Sequence, residues 1–324
     1  MTMRFAMIGC GGFARRYHVP TLLADAGVRL TGIFDPHPAP AVRDLAAATG
    51  AKLVDRIEDL PDADAALVTT PHALHAAHAD HALTRGCATL VDKPFVMKSA
   101  DARHLIEHAA RAGLVNAVGF NRRLDAGCLR AREIIRAGGI GAVRFVETIQ
   151  LGYERGGWFM DPALGGGGPY TGRGTHMADL VPWLVEARPV SLSSRVRPGP
   201  VGRSDRGGTV DMLFPEFEYR MTCIEEGWHM WDEVRIFGED GLIELRRPLT
   251  MPTGWSLTWL SRRGATREER AAEPNEGQIT TQFLAACRSG GPVACSFADA
   301  LLSVRIVEAA FASAAAGGAS HDLG

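Results

Sequence analysis

Apolar and polar positions follow two different rhythms in the two halves of the chain. In the first 120 or so residues, short continuous apolar runs predict strands over 4–8, 28–34, 53–54, 65–68, 88–91 and 114–118. Between them, helices are expected from about Gly12, over 38–49, over an Ala- and His-rich 72–85, and over 99–112. Ser99 is the expected N-cap of the last helix and Gly113 its stop. Strands buried on both faces read as unbroken apolar runs, and intervening helices imply right-handed βαβ units on a parallel sheet. Ligand chemistry on such a sheet belongs at the carboxyl ends of the strands. Gly9, Asp35, Thr70, Pro71, Lys93 and Asn121 all fall at or just past such ends.

The second half alternates instead. An amphipathic helix over 124–137 meets a stop at Gly138-Gly139. Alternating segments follow at 143–151, 190–196, 209–214, 218–224, 233–237 and 242–245, with turns expected at Gly207-Gly208, Pro215 and Asp240-Gly241. These read as an open, mostly antiparallel sheet with one solvated face. Two helices, 276–289 and 297–315, close the chain before a low-complexity stretch at 314–320. All six tryptophans (Trp158, Trp183, Trp228, Trp231, Trp255, Trp259) lie in this half. The expected fold is α/β: a Rossmann parallel sheet over residues 1–122, then an α+β domain with an open, mostly antiparallel sheet over 123–324.

Composition narrows the function. A length of 324 residues suits two cores better than one. A net charge of −2 gives no electrostatic reason to expect nucleic acid or a membrane surface as partner. No apolar run approaches the roughly 18 residues that span a bilayer. The first strand begins at once, which leaves no room for a signal peptide. Six cysteines without metal-type spacing read as reduced, mostly buried thiols of a cytoplasmic protein.

The chemistry starts at Gly9-Cys-Gly11-Gly12-Phe13-Ala14, between the first strand and its helix. Gly9 permits the tight turn, Gly11 lets a pyrophosphate approach the backbone, and Ala14 lets helix and strand pack closely. Phosphate then meets free N–H groups at the positive end of the helix. Asp35 lies 24 residues past Gly11, where the fold needs an acid for the ribose hydroxyls. Its charge repels a 2′-phosphate, and Pro36-His37-Pro38 offers no arginine, so NAD is favoured over NADP. Arg15 and Arg16 either contact phosphate or form a solvated helix face.

With Thr70-Pro-His-Ala-Leu-His75, Asp92-Lys-Pro94, Gly119-Phe-Asn-Arg-Arg123, Trp158-Phe-Met-Asp-Pro162, Gly165 to Gly168 and Gly174-Thr-His-Met-Ala-Asp179, the chain resembles the Gfo/Idh/MocA oxidoreductases. This is the glucose–fructose oxidoreductase and inositol dehydrogenase family, and the resemblance covers nearly the whole chain. It implies an NAD(P)-dependent enzyme acting on a secondary alcohol of a sugar, aminosugar or cyclitol, held between the two domains. It also implies a homodimer or homotetramer, since the family's broad sheet usually buries one face against another subunit. Hydride transfer from an alcohol needs a proton acceptor and a cation beside the developing alkoxide. Lys93 and His176 are the catalytic candidates. The cofactor set is Gly9, Gly11, Gly12, Phe13, Ala14, Asp35, Thr70, Pro71, His75, Lys93 and Asn121. Substrate candidates are Arg122, Tyr153, Trp158, Tyr170, Arg173 and Asp179, the last also readable as structural.

One departure stands out. The family pattern places an Asp four residues before the histidine, and this chain has Gly172 there. Three accounts stay open: Lys93 and His176 suffice between them, Tyr170 or another side chain replaces the acid, or the reaction is altered. An NAD-retaining, redox-neutral lyase or glycosidase and a non-catalytic nucleotide- or sugar-binding regulator are the alternative functions. His72, His75, His78 and His81 recur every three residues, so they fan around a helix and do not converge on an ion. No metal site is expected.

Overall fold

The computed structural model describes residues 2–248, 255–262, 264 and 277–324. The chain forms two compact units, one of Met1–Asn121 with Glu276–Leu301, the other of Arg122–Asn275 with Leu302–Gly324. It therefore passes between units three times rather than at one junction.

Unit 1 is built on six parallel strands: β1 (Met3–Ile8), β2 (Val28–Phe34), β3 (Lys52–Val54), β4 (Ala65–Val68), β5 (Ala88–Val91) and β6 (Asn116–Val118). Their order is β3-β2-β1-β4-β5-β6, the doubly wound arrangement in which the chain reverses direction at β1/β4. Phe5 to Ile8 and every residue of β4 and β5 are buried, as continuous apolar strands covered on both faces must be. The helices are α1 (Val19–Ala24), α2 (Pro40–Thr49), α3 (His75–Thr84), α4 (Ser99–Ala112) and, from the later segment, α8 (Gln278–Ser289). The expected start of α8 at Glu276 lies outside the described residues. The first helix does begin at Gly12, but it widens into a π-turn over Ala14–His18 before α1. Ser99 is the first helical residue rather than the N-cap, and the N-cap position, Lys98, makes no side-chain cap bond. Gly113 ends the helix as expected.

Unit 2 carries eight strands: β7 (Val143–Leu151), β8 (Ser191–Val196), β9 (Gly207–Leu213), β10 (Glu218–Ile224), β11 (Trp231–Gly238), β12 (Gly241–Pro248), β13 (Ser256–Ser261) and β14 (His321–Asp322). Their order is β13-β12-β11-β7-β10-β9-β8-β14, antiparallel except for β7 beside β10. Alternation sorts the side chains. Val146, Thr148 and Gln150 of β7 point to the core while the residues between them do not. The buried face packs with α5 (Ala126–Arg136), α7 (Thr175–Val185) and the later part of α9 (Phe297–Ala315) into one apolar cluster. A short helix, α6 (Pro162–Gly165), precedes the α7 region.

Gly207-Gly208, expected as a turn, opens β9 instead. Both have positive φ, and a Cβ on either would strike the carbonyl of Cys223 or Arg195. The pair allows three strands to close at that point. β13 and β14 carry no alternation strong enough to announce them.

Candidate functional site

The glycine turn behaves as its sequence requires. Gly9 has φ +87°, donates to the Phe34 carbonyl at 2.8 Å, and sits so close that a Cβ would lie 2.9 Å from the Thr69 carbonyl carbon. The Thr69 hydroxyl donates to the Gly9 carbonyl at 2.8 Å, tying the turn to the end of β4. Gly11 and Gly12 are the opposite case: among the described residues, their chain neighbours aside, no atom lies within 4 Å of a Cβ built on either. The backbone there is open on the side where a pyrophosphate would come. Phe13 is 41% exposed beside it and Ala14 is buried under the helix. Asp35 is half-buried just after β2 and accepts from the His37 N–H at 3.0 Å.

The next two strand ends are joined through histidines. Thr70 is buried, and its hydroxyl pairs with His78 Nδ1 at 2.9 Å. His75 is enclosed, with Nδ1 2.7 Å from the Pro94 carbonyl and Nε2 2.9 Å from the Thr70 carbonyl. It thus pins the segment after β4 to the segment after β5, and burial lowers its pKa. Pro71 precedes the first helical turn of that segment. Lys93 follows β5, is half-buried, and precedes a cis peptide bond to Pro94. Its N–H donates to Asp92 Oδ1 at 2.8 Å, and Gly119 makes room for that carboxylate, since a Cβ there would lie 2.7 Å from it. Asn121, past β6, is buried, and its Oδ1 has no hydrogen-bond partner among the described residues. An open glycine backbone, an acid after β2 and an orphaned amide oxygen past β6 fit a dinucleotide laid across these strand ends. The cofactor candidates are thus gathered on one edge of unit 1.

In unit 2, His176 is the second residue of α7 and the one side chain of residues 169–182 that is not buried. Several proposed substrate contacts are committed elsewhere. Asp232, fully buried, receives Arg122 Nη2 at 2.7 Å on one oxygen, and Arg173 Nη2 at 2.8 Å and Gln150 Nε2 at 3.0 Å on the other. Burial pulls the Asp232 carboxyl upward, but the two guanidinium groups hold it below its ordinary value. Burial is also what lowers Arg122 to about 10. Asp179 is bound by Arg123 through contacts of 2.9 and 2.6 Å, which ties α7 to the segment before α5. Tyr170 is wholly buried with its ring edge-on to Phe311, and burial pushes its phenol far up, which makes it a core residue and a poor proton relay. Tyr153, 54% exposed, and Trp158, stacked on Phe159 at 3.8 Å, remain accessible.

The space that a side chain at Gly172 would use is filled. A Cβ there would run into the guanidinium of Arg155, which lies 4.3 Å over the Phe159 ring and pairs with buried Glu225 at 2.7 Å. The loop 153–158 that carries Arg155 reads in the sequence as a candidate substrate loop, but the pairing with Glu225, far along the chain, is not legible there.

Fold and strand-end chemistry together define a dinucleotide-binding oxidoreductase with a second, mixed-sheet domain. Residues 3–120 match the family described as "Oxidoreductase family, NAD-binding Rossmann fold", and residues 128–244 match "GFO/IDH/MocA C-terminal domain". The chain belongs to the Gfo/Idh/MocA oxidoreductase family. An inositol 2-dehydrogenase of Rhizobium meliloti is 25% identical over 97% of this chain and 98% of its own length. A 1-carboxy-3-chloro-3,4-dihydroxycyclohexa-1,5-diene dehydrogenase of Comamonas testosteroni is 32% identical over 59% of this chain, and that match spans half of the relative. The WlbA dehydrogenase of Bordetella pertussis, solved with NADH and UDP-GlcNAcA, shares the fold at 19% identity with TM-score 0.85, covering 100% of this chain and 99% of its own.

Proposed function

We propose that this chain is an NAD-dependent dehydrogenase that moves hydride between nicotinamide and a secondary alcohol or ketone of a sugar, aminosugar or cyclitol. One observation carries the reading: the open backbone at Gly11 and Gly12, followed by Asp35 at the end of the neighbouring strand. Asp35 favours NAD over NADP, because a 2′-phosphate would bring like charge against it. The cyclitol and ring-diol substrates named for two relatives support the substrate class. When bound, the nicotinamide supplies the hydride acceptor or donor. Lys93 steadies the developing alkoxide with its ammonium group, and His176 exchanges the hydroxyl proton through a ring nitrogen. Arg155's guanidinium fills the space beside Gly172, where the family pattern has an aspartate, so Lys93 and His176 carry the proton chemistry without an acid at position 172.

We further propose a homodimer or homotetramer formed through the outer face of the eight-stranded sheet, where Leu213, Phe237 and Leu260 stand exposed. All six cysteines are unpaired thiols, five of them buried, which supports residence in the reducing cytoplasm. Among the described residues, no helix is long and apolar enough to cross a membrane.

The purified chain incubated with NAD and a panel including myo-inositol, glucose and N-acetylglucosamine, followed at the reduced-nicotinamide absorbance band, tests the activity. NADH formation with at least one polyol is expected, and product without net NADH, or none with any, contradicts it. Lys93→Ala is expected to lower kcat by about 10²- to 10⁴-fold, as loss of a proton-handling group does. NAD affinity, read by fluorescence titration, should barely change.

A further inference from the structure

The histidine-rich helix α3 does bring a metal-type donor set together, though not along its own length. His75 is held by two backbone carbonyls and His78 by the Thr70 hydroxyl. The convergence lies on the other side, between α3 and α4. Asp80 Oδ1 is 2.8 Å from His104 Nε2 and 2.8 Å from His108 Nδ1. His104 and His108 are four residues apart on α4 and so share a face. The three ligand atoms lie within 4.8 Å of one another, and this is the one such group among the described residues.

We propose that Asp80, His104 and His108 form a binding site for a borderline divalent transition-metal ion, Zn²⁺ being the best match, that cross-links α3 to α4. Two imidazoles and one carboxylate are the donor set such ions take, whereas Mg²⁺ and Ca²⁺ require oxygen. In the ion-free form each imidazole presents an N–H to the shared carboxylate oxygen. A neutral ring frees that nitrogen for the ion by moving its proton to its other nitrogen, so no net proton is lost. His104 is 57% exposed and can swing to shorten its bond, while solvent completes the coordination shell. Two helices supply the ligands, so a reading along α3 alone could not find the site. The ion lies on the helical layer and takes no part in hydride transfer.

The test is isothermal titration of the tag-free, EDTA-stripped chain with ZnCl₂, and with MgCl₂ as control. One Zn²⁺ per chain and no Mg²⁺ are expected, with Zn²⁺ affinity at least about 10-fold weaker in the His104→Gln/His108→Gln double variant and in Asp80→Asn. The absorption spectrum of the wild-type Co²⁺ form gives a readout that does not depend on the variants folding, and it should lack a thiolate charge-transfer band. Absence of Zn²⁺ binding, unchanged affinity in the folded variants, or a thiolate band overturns the proposal.

Discussion

His78 shows how one half-buried side chain sets a pH dependence. Burial, reinforced by His75 and His81, lowers its pKa from 6.5 to about 4. Between those values the unfolded chain binds the proton and the folded chain does not, so stability rises with pH there. The contribution is complete above 6.5 and lost as pH falls toward about 4. His18 and His75, also lowered by burial, act in the same direction. Thermal unfolding should show a falling Tm from about pH 7 to about pH 5, and a shallower fall in His78→Gln. An equal fall in both proteins would contradict the lowered pKa of His78. Residues like Gly9 and Asp35 are legible in the sequence because their roles are local: a turn, and a strand end. Tyr170, Arg122 and Arg173 read as substrate candidates in the sequence, while the structure packs them against Phe311 and Asp232, partners distant along the chain. A polar side chain near a motif looks the same in sequence whether it meets a ligand or a buried ion pair.

At the scale of elements, Asp232 on β11 fastens Arg122, at the entry to α5, and Arg173, just before α7. Removing the carboxylate leaves two guanidinium groups buried with their charges uncompensated. Asp232→Ala is expected to destabilise unit 2 by about 3–5 kcal/mol, read as the shift of its transition in urea. A change below about 1 kcal/mol would show that the pair is solvated after all. Unit 1 strands were legible to within a residue or two because buried parallel strands are unbroken apolar runs. β13 and β14, at opposite edges of the second sheet, were not, since an edge strand needs little burial of its own. Ser99 looked like a cap because caps are chosen by residue type, but the helix starts one position earlier, with Lys98 in the extended conformation.

The whole molecule was readable as two units from the switch of hydrophobic period, but not the return of residues 276–301 to the first, which depends on long-range packing. Association is expected through the outer sheet face, where Phe145 and Phe237 lie 6.0 Å apart among ion pairs such as Arg220 with Asp211. Light scattering after size exclusion should give a dimer or tetramer, and Phe237→Glu should shift it toward monomer; a monomeric wild type would refute the interface. The central claim is that a dinucleotide lies against the glycine backbone of unit 1. Gly11 tests it most directly, since among the described residues nothing beyond its chain neighbours lies within 4 Å of a Cβ there, and a side chain would meet the pyrophosphate. The decisive measurement is NAD binding by calorimetry to wild type and Gly11→Val, with the Tm of each recorded without ligand. The account predicts matching Tm values and affinity at least about 10-fold weaker in the variant, a loss of about 1.4 kcal/mol or more. Equal NAD affinity in the two proteins, or none in the wild type, would contradict it.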